Sequence, residues 1–358
     1  MLLKAELKIL KKYSIKLLSE LIATPSLSRN ENLTADVIEK YLKTFGVEPK
    51  RIKNNVIAKN KYFDSSKETI LLCSHHDTVP PNKNYKLNPF KPIKKNGKIF
   101  GLGSNDAGGS IVSLFATFLF FYNVKNLKYN LMFVASAEEE ISGKNGFELV
   151  NKTLPKIYCA LVGEPTEMDL AIAERGLIVL DCVAHGKPGH TAREEGINSI
   201  YIAAKDIDWI KNYKFKKDSK FLGPIKMSVT SIETQNKAHN ITPESCKFIV
   251  DVRVNELYSF KDILSVIKKN IKSEIKPRSL RLTSSKISEN HKIVLAGVKL
   301  GRKIYGSPTT SDKALMKYPA LKIGPGSSSR SHVADEYILE KEIFNGINIY
   351  IKMLSEIL

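Results

Sequence analysis

The feature that most constrains the fold of this chain is a pair of polar segments, each closely following an apolar run of strand type. The first segment is SHHDTVP at residues 74–80, and it follows TILLC at residues 69–73. The second is AEEE at residues 137–140, and it follows LMFVA at residues 131–135. In open sheets of parallel strands, ligands collect beyond the carboxyl ends of the strands. We therefore expect both polar segments to contribute to one site.

Three further segments place a candidate ligand at or just past a predicted strand end. They are GSND at residues 103–106, LVGEPT at residues 161–166, and a Gly- and Ser-rich stretch at residues 324–332 that ends in a histidine. Together the five segments supply His, Asp and Glu. This ligand set suits zinc and, with less preference, cobalt or manganese. Five such segments in one chain predict a metal-dependent hydrolase.

Length and cysteine usage favour a cytoplasmic protein of two domains. The 358 residues are enough for a large core, and no apolar stretch approaches the roughly 20 residues of a membrane span. Residues 1–7 predict an amphipathic helix and lack a signal-peptide core. The four cysteines lie far apart in strand-like runs, so we expect reduced core residues rather than disulfides. They are Cys73, Cys159, Cys182 and Cys246.

The net charge of +19 would suit a nucleic-acid partner. Most of the 56 basic residues are lysines spread along the chain, a bias that an AT-rich genome produces, so we expect no nucleic acid and no membrane. Two interpretations stay open: solvated lysine-rich faces, or an electropositive rim that attracts an acidic substrate or an acidic carrier protein. A hypothesis of another class is a basic, non-catalytic protein that binds RNA or an acidic partner.

Predicted strands and helices alternate up to about residue 170, which predicts an α/β fold with a mostly parallel central sheet flanked by helices. Between about 170 and 285 the order becomes β, α, β, β, α, as in a small α+β domain with an antiparallel sheet. We therefore predict a discontinuous catalytic domain at residues 1–170 and 286–358, interrupted by an inserted domain at 171–285. Helices are predicted at 3–22, 31–45, 198–213 and 259–275, and strands of the insertion at 173–184, 227–234 and 246–254.

The spacing within the first segment predicts a ligand and its partner. On an extended chain His75 and Asp77 lie on the same side, so Asp77 can accept a hydrogen bond from the ring nitrogen of His75 that faces away from a metal. His76 points the other way, and we treat it as a bystander. A polar turn after a strand is the alternative interpretation.

Acidic residues supply the other candidate ligands. Three adjacent carboxylates at residues 138–140 are unfavourable after an apolar strand unless a cation compensates them. In a hydrolase, one such Glu binds metal while its neighbour moves a proton. Asp106 lies in the Gly-rich segment 103–109, and Glu164 ends a predicted strand. The alternatives are a chance acidic turn at 138–140, a phosphate-binding loop at 103–109 and a plain turn at Glu164.

The order of these motifs resembles the di-zinc family of acetylornithine deacetylase, succinyl-diaminopimelate desuccinylase, aminoacylase and carboxypeptidase G. The pattern is His-x-Asp, Asp in a Gly-rich turn, Glu-Glu, Gly-Glu-Pro-Thr and a late His, and it covers essentially the whole chain. The resemblance implies that Asp106 bridges two zinc ions. His75 and Glu164 would complete one site, whereas Glu140 and His332 would complete the other. Cobalt is expected to substitute for zinc.

The resemblance also implies catalytic and substrate-binding roles. Glu139 would be the general base on the attacking water, and Asp77 would orient the first histidine. His190, in the Gly-His motif of the inserted lid domain, would stabilise the oxyanion in the partner subunit's site, which implies a homodimer. Asn240 and Arg253 would hold the substrate carboxylate. Without the resemblance, His190 is an exposed histidine in a turn, and Arg253 is a structural partner of Asp251.

Two positions depart from the family pattern. Gly108 stands where the family usually has Lys, and residues 174–176 read Glu-Arg-Gly where the family has His-x-Gly. Neither departure removes a ligand. The tail at residues 324–337 most resembles acetylornithine deacetylases, which implies hydrolysis of N2-acetylornithine to ornithine and acetate in arginine biosynthesis. The alternatives are a carrier-protein-linked lysine or ornithine deacylase, a succinyl-diaminopimelate desuccinylase, and a dipeptidase or aminopeptidase.

Overall fold

A computed structural model describes residues 2–193 and 195–358 of the chain, with side chains from Ala5 onward. Met1, where the predicted N-terminal amphipathic segment starts, lies outside the described residues. The described residues form eight α-helices: α1 Leu2–Ala23, α2 Asn32–Thr44, α3 Gly109–Tyr122, α4 Phe147–Asn151, α5 Ser199–Asn212, α6 Phe260–Asn270, α7 Lys292–Lys299 and α8 Glu340–Ser355.

The strands alternate with these helices along much of the chain. In the described part they are β1 Lys50–Ile52, β2 Asn55–Lys59, β3 Thr69–His75, β4 Ile93–Lys95, β5 Lys98–Phe100, β6 Asn130–Ser136, β7 Ile157–Val162, β8 Leu170–Glu174, β9 Gly176–His185, β10 Lys226–Glu233, β11 Ser245–Val254, β12 Glu274–Pro277, β13 Ser285–Lys286, β14 Ile304–Ser307, β15 Ala320–Lys322 and β16 Tyr337–Leu339.

The chain divides into two compact units. The first unit comprises Met1–Ile172, Ile287–Tyr305 and Ser311–Leu358, and the inserted unit comprises Ala173–Lys286 and Gly306–Thr310. Residues 306–310 belong to the inserted unit, although the sequence predicted them in the catalytic domain. They follow and partly belong to β14, and the main chain of Arg175 donates to the carbonyl of Ser307 at 3.3 Å. A dimerisation role for the inserted unit stays a prediction.

The main sheet of the first unit has β3 near its centre. Its strands follow the order β1-β2-β6-β3-β7-β15-β8. β3 runs parallel to β6 and β7, and β15 runs parallel to β7. β2 is antiparallel to both β1 and β6, and β8 is antiparallel to β15. The four central strands β6, β3, β7 and β15 are thus parallel, and the antiparallel strands lie toward the edges, which confirms the predicted α/β fold class with a mostly parallel central sheet.

Both faces of the central strands are buried, which accounts for their continuous apolar sequences. On one face, Phe133 of β6 packs against Phe115 and Phe118 of α3, with ring centroids 6.0 Å apart in each pair. On the other face, Leu71 of β3 joins a buried cluster that includes Phe147 of α4. Polar side chains therefore collect at the strand ends rather than along the strands.

The inserted unit contains an antiparallel sheet with the strand order β10-β11-β9-β12. Ala203 and Ile210 of α5 join Ile263 and Ile267 of α6 in one buried cluster with the sheet residue Phe248. This packing matches the α+β pattern that the sequence suggested. β10 forms one edge of this sheet and β12 forms the other. Most side chains of β10 are exposed.

The helix predicted at residues 259–275 is wrong in its last five residues. α6 ends at Asn270, and Ile275 belongs to β12. The isoleucines at 263, 267, 271 and 275 repeat every four residues, which imitates a longer helix. The carboxylate of Asp206 accepts the main-chain N–H groups of Lys272 and Ser273, and these bonds hold the chain in a turn instead. The strand predicted at 173–184 is also divided, because Arg175 separates β8 from β9.

All four cysteines are buried and free of disulfides, as expected for reduced core residues. In the part of the chain that the structure describes, no helix combines the length and the apolar composition needed to cross a bilayer. The apolar α3, which comes nearest in composition, is a 14-residue helix buried against the main sheet.

Candidate metal centre

The candidate ligands follow the ends of three adjacent strands in the main sheet. β3 ends at His75, β6 ends at Ser136 just before the acidic turn, and β7 ends two residues before Glu164. Because β3 lies between β6 and β7 and runs parallel to both, these three ends meet at the same edge of the sheet. The position agrees with the general location of ligand sites in sheets of this type.

His75 belongs to both groups of candidate ligands in this centre. Its side chain is 1% exposed, and its Nε2 atom lies 3.3 Å from Asp106 Oδ1 and 3.9 Å from Glu164 Oε1. Potential ligand atoms of His75, Asp106 and Glu140 all lie within 4.8 Å of one another, and so do those of His75, Glu139 and Glu164. The structure thus brings together four carboxylates from three separate segments of the sequence.

His332 lies beside the same carboxylates and is more exposed than His75. Its Nε2 atom lies 3.0 Å from Glu140 Oε2 and 3.6 Å from Asp106 Oδ2. The hydrogen bond to Glu140 and the nearby negative charges raise the pKa of His332 to about 9. Asp106 therefore presents one carboxylate oxygen to each histidine.

The chemistry of this cluster fits divalent cations. Two imidazoles face the four carboxylates of Asp106, Glu139, Glu140 and Glu164, which leaves an excess of formal negative charge. Imidazole nitrogen and carboxylate oxygen are ligands that zinc, cobalt and manganese accept. The residues present therefore fit the metal that the sequence predicted. The assignment of five of them as ligands and of Glu139 as the base stays a prediction.

The ionisable groups at the centre shift one another's pKa values. Burial acts to lower the pKa of His75, but its contacts with Asp106 and Asp77 raise that pKa well above the usual value. Burial acts to raise the pKa of Asp106, but the hydrogen bond and charge of His75 hold it below the usual value. The pair is thus stabilised with opposite charges, which is the pattern expected when a cationic partner compensates a carboxylate.

The pKa of Glu139 is shifted in the opposite direction to that of Asp106. Removal of its carboxyl group from water raises its pKa well above the usual value, and the negative charges of Glu164, Asp312 and Glu140 add to this effect, while His75 opposes it. A carboxyl group with a raised pKa exchanges protons more readily near neutral pH. This property suits Glu139 to proton transfer.

Asp77 has more contacts than the sequence predicted. His75 Nδ1 donates to the main-chain oxygen of Asp77 at 3.0 Å and lies 3.5 Å from its carboxylate oxygen Oδ1. The carboxylate itself accepts from the main-chain N–H groups of Glu139 and Glu140 and from the hydroxyl of Ser28. Asp77 therefore contacts both the histidine at the end of β3 and the acidic turn after β6.

The neighbouring His76 faces away from the candidate ligands, as predicted. It is buried, its Nε2 atom donates to the main-chain oxygen of Asn54 at 2.9 Å, and its Nδ1 atom contacts the hydroxyl of Thr34. Burial lowers the pKa of His76 to about 4, so the ring is neutral at physiological pH.

Sequence reasoning gave no role to Glu336, which contacts the loop of Asp106. Its buried carboxylate accepts the main-chain N–H groups of Gly103, Asn105 and Asp106 at 3.1, 2.7 and 2.9 Å. Burial raises the pKa of Glu336 to about 7, while these hydrogen bonds oppose the rise. An acidic residue four positions after His332 and directly before β16 was the available signal.

Two more buried acidic residues were missed. Glu31, which precedes α2, accepts from the main-chain N–H of Glu138 at 3.2 Å and from the side-chain amide of Asn54 at 2.8 Å. Asp312 accepts from the hydroxyl of Ser136 at the end of β6, at 2.7 Å. Their sequence surroundings are polar and resemble ordinary turns, so neither residue stood out.

The remaining predicted residues belong to the inserted unit. His190 is exposed, and its main chain pairs with that of Ile241, next to Asn240. The main-chain oxygen of Asn240 accepts from the N–H of Thr191 at 3.2 Å, so the His190 and Asn240 segments are neighbours. Arg253 forms a two-point ion pair with Asp251, with N–O distances of 2.7 and 2.9 Å. For Arg253 the structure therefore has the pairing that the alternative interpretation proposed.

Comparison with known protein families decides the broader identity. Residues 71–356 match the model described as Peptidase family M20/M25/M40. The chain belongs to this family. The M20 assignment confirms the predicted family and the predicted class of metal-binding hydrolase, and it does not favour the hypothesis of a non-catalytic basic protein.

Two curated relatives illustrate the range of activities within M20. A succinyl-diaminopimelate desuccinylase of Orientia tsutsugamushi is 31% identical over 283 residues, which cover 73% of this chain and 72% of that protein. A LysW-lysine/LysW-ornithine hydrolase of Sulfurisphaera tokodaii is 28% identical over 361 residues, which cover 96% and 95% of the two chains. Neither relative is named as an acetylornithine deacetylase, so that narrower likeness stays a prediction.

A solved M20 structure has the same fold. The Bacillus subtilis protein YXEP, described as a dinuclear metal-binding peptidase of the M20 family, matches with a TM-score of 0.74 and 18% sequence identity, and the match covers 98% of each chain. At this level of identity the likeness concerns the fold.

Proposed function

We propose that this M20 chain is a two-zinc amide hydrolase that removes the acyl group from an N-acyl amino acid. The observation that carries the proposal is the position of Asp106, whose two carboxylate oxygens face His75 at 3.3 Å and His332 at 3.6 Å. A carboxylate with a histidine beyond each oxygen is arranged to bridge two cations. Glu164 lies on the His75 side and Glu140 on the His332 side.

These five residues would hold the zinc ions, and Glu139 would carry out the proton transfers. When bound, zinc supplies Lewis acidity that polarises a carbonyl group and lowers the pKa of water. Glu139 accepts a proton from the attacking water on a carboxylate oxygen. It then donates this proton to the amide nitrogen, so the C–N bond breaks and the amine leaves. The oxygen from water remains on the acyl group, which forms as a carboxylic acid and gives its proton to the released amine, so the products are a carboxylate and an ammonium group.

The main-chain anchors of the acidic turn support this role for Glu139. Asp77 accepts its N–H at 3.0 Å, and Glu31 accepts the N–H of the preceding Glu138 at 3.2 Å. A base held at two successive main-chain positions moves little relative to the ligands, which favours proton transfer at a fixed distance.

We further propose that His190 stabilises the oxyanion and that Asn240 contacts the substrate carboxylate, as the family resemblance implies. The neighbouring positions of these two residues in the inserted unit are compatible with a shared task. Arg253 already donates two of its five N–H groups to Asp251, which compensates part of the charge that a substrate carboxylate would meet.

A homodimer is also proposed. β10 is an edge strand of the inserted sheet, and its Ile232 is 56% exposed. Tyr201 at the start of α5 is 69% exposed, and Ile200 and Ile197 beside it are exposed as well. An unpaired strand edge beside exposed apolar side chains is typical of a surface that a second copy covers. The four reduced cysteines favour the cytoplasm as the location.

For the substrate, the relatives favour two candidates over the N2-acetylornithine that the sequence tail suggested. The first is N-succinyl-diaminopimelate, from the name of the Orientia tsutsugamushi relative. The second is lysine or ornithine linked to an acidic carrier protein. The hydrolase from Sulfurisphaera tokodaii and the net charge of +19 favour this second candidate, because a basic surface attracts an acidic protein.

One experiment tests these proposals together. Purified protein loaded with zinc or cobalt is assayed on N2-acetylornithine, N-succinyl-diaminopimelate, the carrier-linked amino acid and a dipeptide, and its metal content is measured in parallel. We expect up to two zinc ions per chain and cleavage of an N-acyl amino acid. Cleavage of the dipeptide alone would contradict the proposed substrate class. The carrier would be excluded if kcat/KM were the same for the carrier-linked substrate and for the free acetyl amino acid, and if neither value changed with ionic strength.

A further inference from the structure

The buried carboxylate of Glu336 is bonded to the loop that carries Asp106. Glu336 Oε1 accepts the N–H groups of Asn105 and Asp106, and Oε2 accepts the N–H of Gly103. The main-chain oxygen of Glu336 also accepts the N–H of Gly101 at 3.0 Å. One residue thus contacts four positions within six residues of the loop. A buried carboxylate is stable only when such donors compensate it.

The position of Glu336 is fixed from outside the loop. It directly precedes β16, which pairs with β5 in register from Tyr337 and Phe100 to Leu339 and Lys98. Ile338, in the middle of β16, is fully buried. The sheet therefore fixes the carboxylate of Glu336 beside the loop, so the loop N–H groups meet a stationary acceptor.

A second set of contacts joins the same loop to the segment before His332. The side-chain amide of Asn105 donates to the main-chain oxygen of Ser327, and its Oδ1 atom accepts the N–H of Ser327, both at 3.0 Å. The loop of Asp106 and the segment that leads to His332 therefore form one hydrogen-bonded block. The side chain of Glu336 supplies three of the bonds within this block.

We infer that Glu336 is a positioning residue that sets the main chain of Asp106, so that the two carboxylate oxygens of Asp106 face the two histidines. The inference rests on the proposed function, which makes Asp106 a metal ligand. Among the described residues, the Glu336 carboxylate forms no hydrogen bond with His75 or His332, and it acts through the loop of Asp106. Partners that orient metal ligands typically contribute about 10- to 100-fold in metal affinity.

The test compares metal binding by the wild type, Glu336→Gln and Glu336→Ala. In Glu336→Gln the amide group replaces one carboxylate oxygen, so at least one loop N–H faces a donor instead of an acceptor. In Glu336→Ala all three side-chain acceptor contacts are lost. We expect zinc affinity, measured by competition with a chelator, to fall about 10- to 100-fold, with the larger loss in Glu336→Ala. The visible absorption spectrum of the cobalt-loaded protein should change as well.

Asp206 offers a matched control. It is buried in the inserted unit, and its carboxylate accepts the N–H groups of Lys272 and Ser273 and the hydroxyl of Ser273, at 2.6 to 3.2 Å. Asp206→Asn removes the same kind of main-chain anchor from residues that are not candidate ligands. We expect it to lower the thermal unfolding midpoint of the metal-free protein while leaving zinc affinity and the cobalt spectrum unchanged.

The outcomes separate the inference from the function on which it rests. Unchanged zinc affinity and cobalt spectrum in Glu336→Gln would overturn the positioning role alone. Equal losses of affinity in Glu336→Gln and Asp206→Asn would also overturn it, because the effect would then follow from general destabilisation. A wild-type protein that binds no zinc and no cobalt would overturn the proposed function itself. If Glu336→Ala does not fold, Glu336→Gln, which retains the volume and one acceptor oxygen, decides the question.

Discussion

The carboxylate of Asp77 accepts a hydrogen bond from the main-chain N–H of Glu139, with 3.0 Å between Oδ1 and the nitrogen. The same carboxylate accepts the N–H of Glu140, and the main-chain oxygen of Asp77 accepts from His75. Asp77 therefore connects the end of β3 to the turn after β6. A single residue links a candidate ligand of one cation, a candidate ligand of the other and the proposed base.

Replacing Asp77 should therefore affect metal binding and catalysis together. In Asp77→Asn one acceptor oxygen becomes a donor amide, so the N–H of Glu139 or of Glu140 loses its partner. We expect zinc affinity and kcat/KM each to fall about 10- to 100-fold. Asp64→Asn is the control. Asp64 accepts the N–H of Ser66 in the loop before β3, whereas His75 lies at the other end of that strand. Wild-type affinity and rate in Asp77→Asn would show that the link is dispensable.

Substitution of the adjacent residues Glu139 and Glu140 should give different defects. Glu139→Gln is expected to retain zinc and to lose about 10²-fold or more in kcat, because the glutamine amide cannot accept the proton from water. Glu140→Gln is expected to lose zinc affinity first, because it removes a charged candidate ligand beside His332. Metal content and steady-state kinetics of both variants distinguish the roles. The reverse pattern, with zinc lost in Glu139→Gln and retained in Glu140→Gln, would exchange the two assignments.

Removal of the metal should reduce both activity and stability. Without a cation the carboxylates of Asp106, Glu139, Glu140 and Glu164 repel one another, and a metal that binds only the folded state stabilises it, by about 2.7 kcal/mol at 100 times Kd. We expect dialysis against a chelator to abolish hydrolysis and to lower Tm. Zinc or cobalt should restore both, whereas magnesium, which prefers an all-oxygen shell, should not. Full activity in protein from which the metal has been removed would refute a metal-dependent mechanism.

The proposed dimer predicts complementation between two inactive variants. If His190 acts in the partner subunit's site, a mixed dimer of His190→Ala and Glu139→Ala has one site with both groups intact. With random exchange, half of the dimers are mixed, so about a quarter of wild-type activity should return. Light scattering verifies the dimer, and differently tagged subunits verify the exchange. If activity does not recover after verified exchange, His190 acts within its own chain or has no catalytic role.

The ligand cluster was predictable because its signals are local. His75, Glu140 and Glu164 each follow an apolar run, and the rule that parallel strands present their carboxyl ends at one edge brings them together. Asp106 and His332 lie in Gly-rich segments that were candidates from the sequence, and their assignment as metal ligands came from the family resemblance. What the sequence supplied was therefore the list of side chains that face the centre, together with the fold class that positions them.

The main-chain contacts of the supporting carboxylates were not predictable for a physical reason, although the sequence named Asp77 as the partner of His75. Glu31, Asp77 and Glu336 act on main-chain N–H groups, which every residue except proline has, so their partners leave no mark in the sequence. The partners are also remote: Glu31 and Glu138 are 107 positions apart. The early end of α6 had the same cause, because the N–H groups that end it are bonded to Asp206, 66 positions earlier.

The contact between Glu336 and Asp106 spans 230 positions, and the whole inserted unit is made between them. During synthesis on the ribosome, the loop of Asp106 emerges long before its acceptor exists. Contacts between distant residues form late in folding, because closing a long loop costs conformational entropy before the contact stabilises it. The M20 chain should therefore bind metal more weakly until residue 336 has left the ribosome, and a nascent chain arrested before that point should lose zinc to a chelator more readily than the full chain.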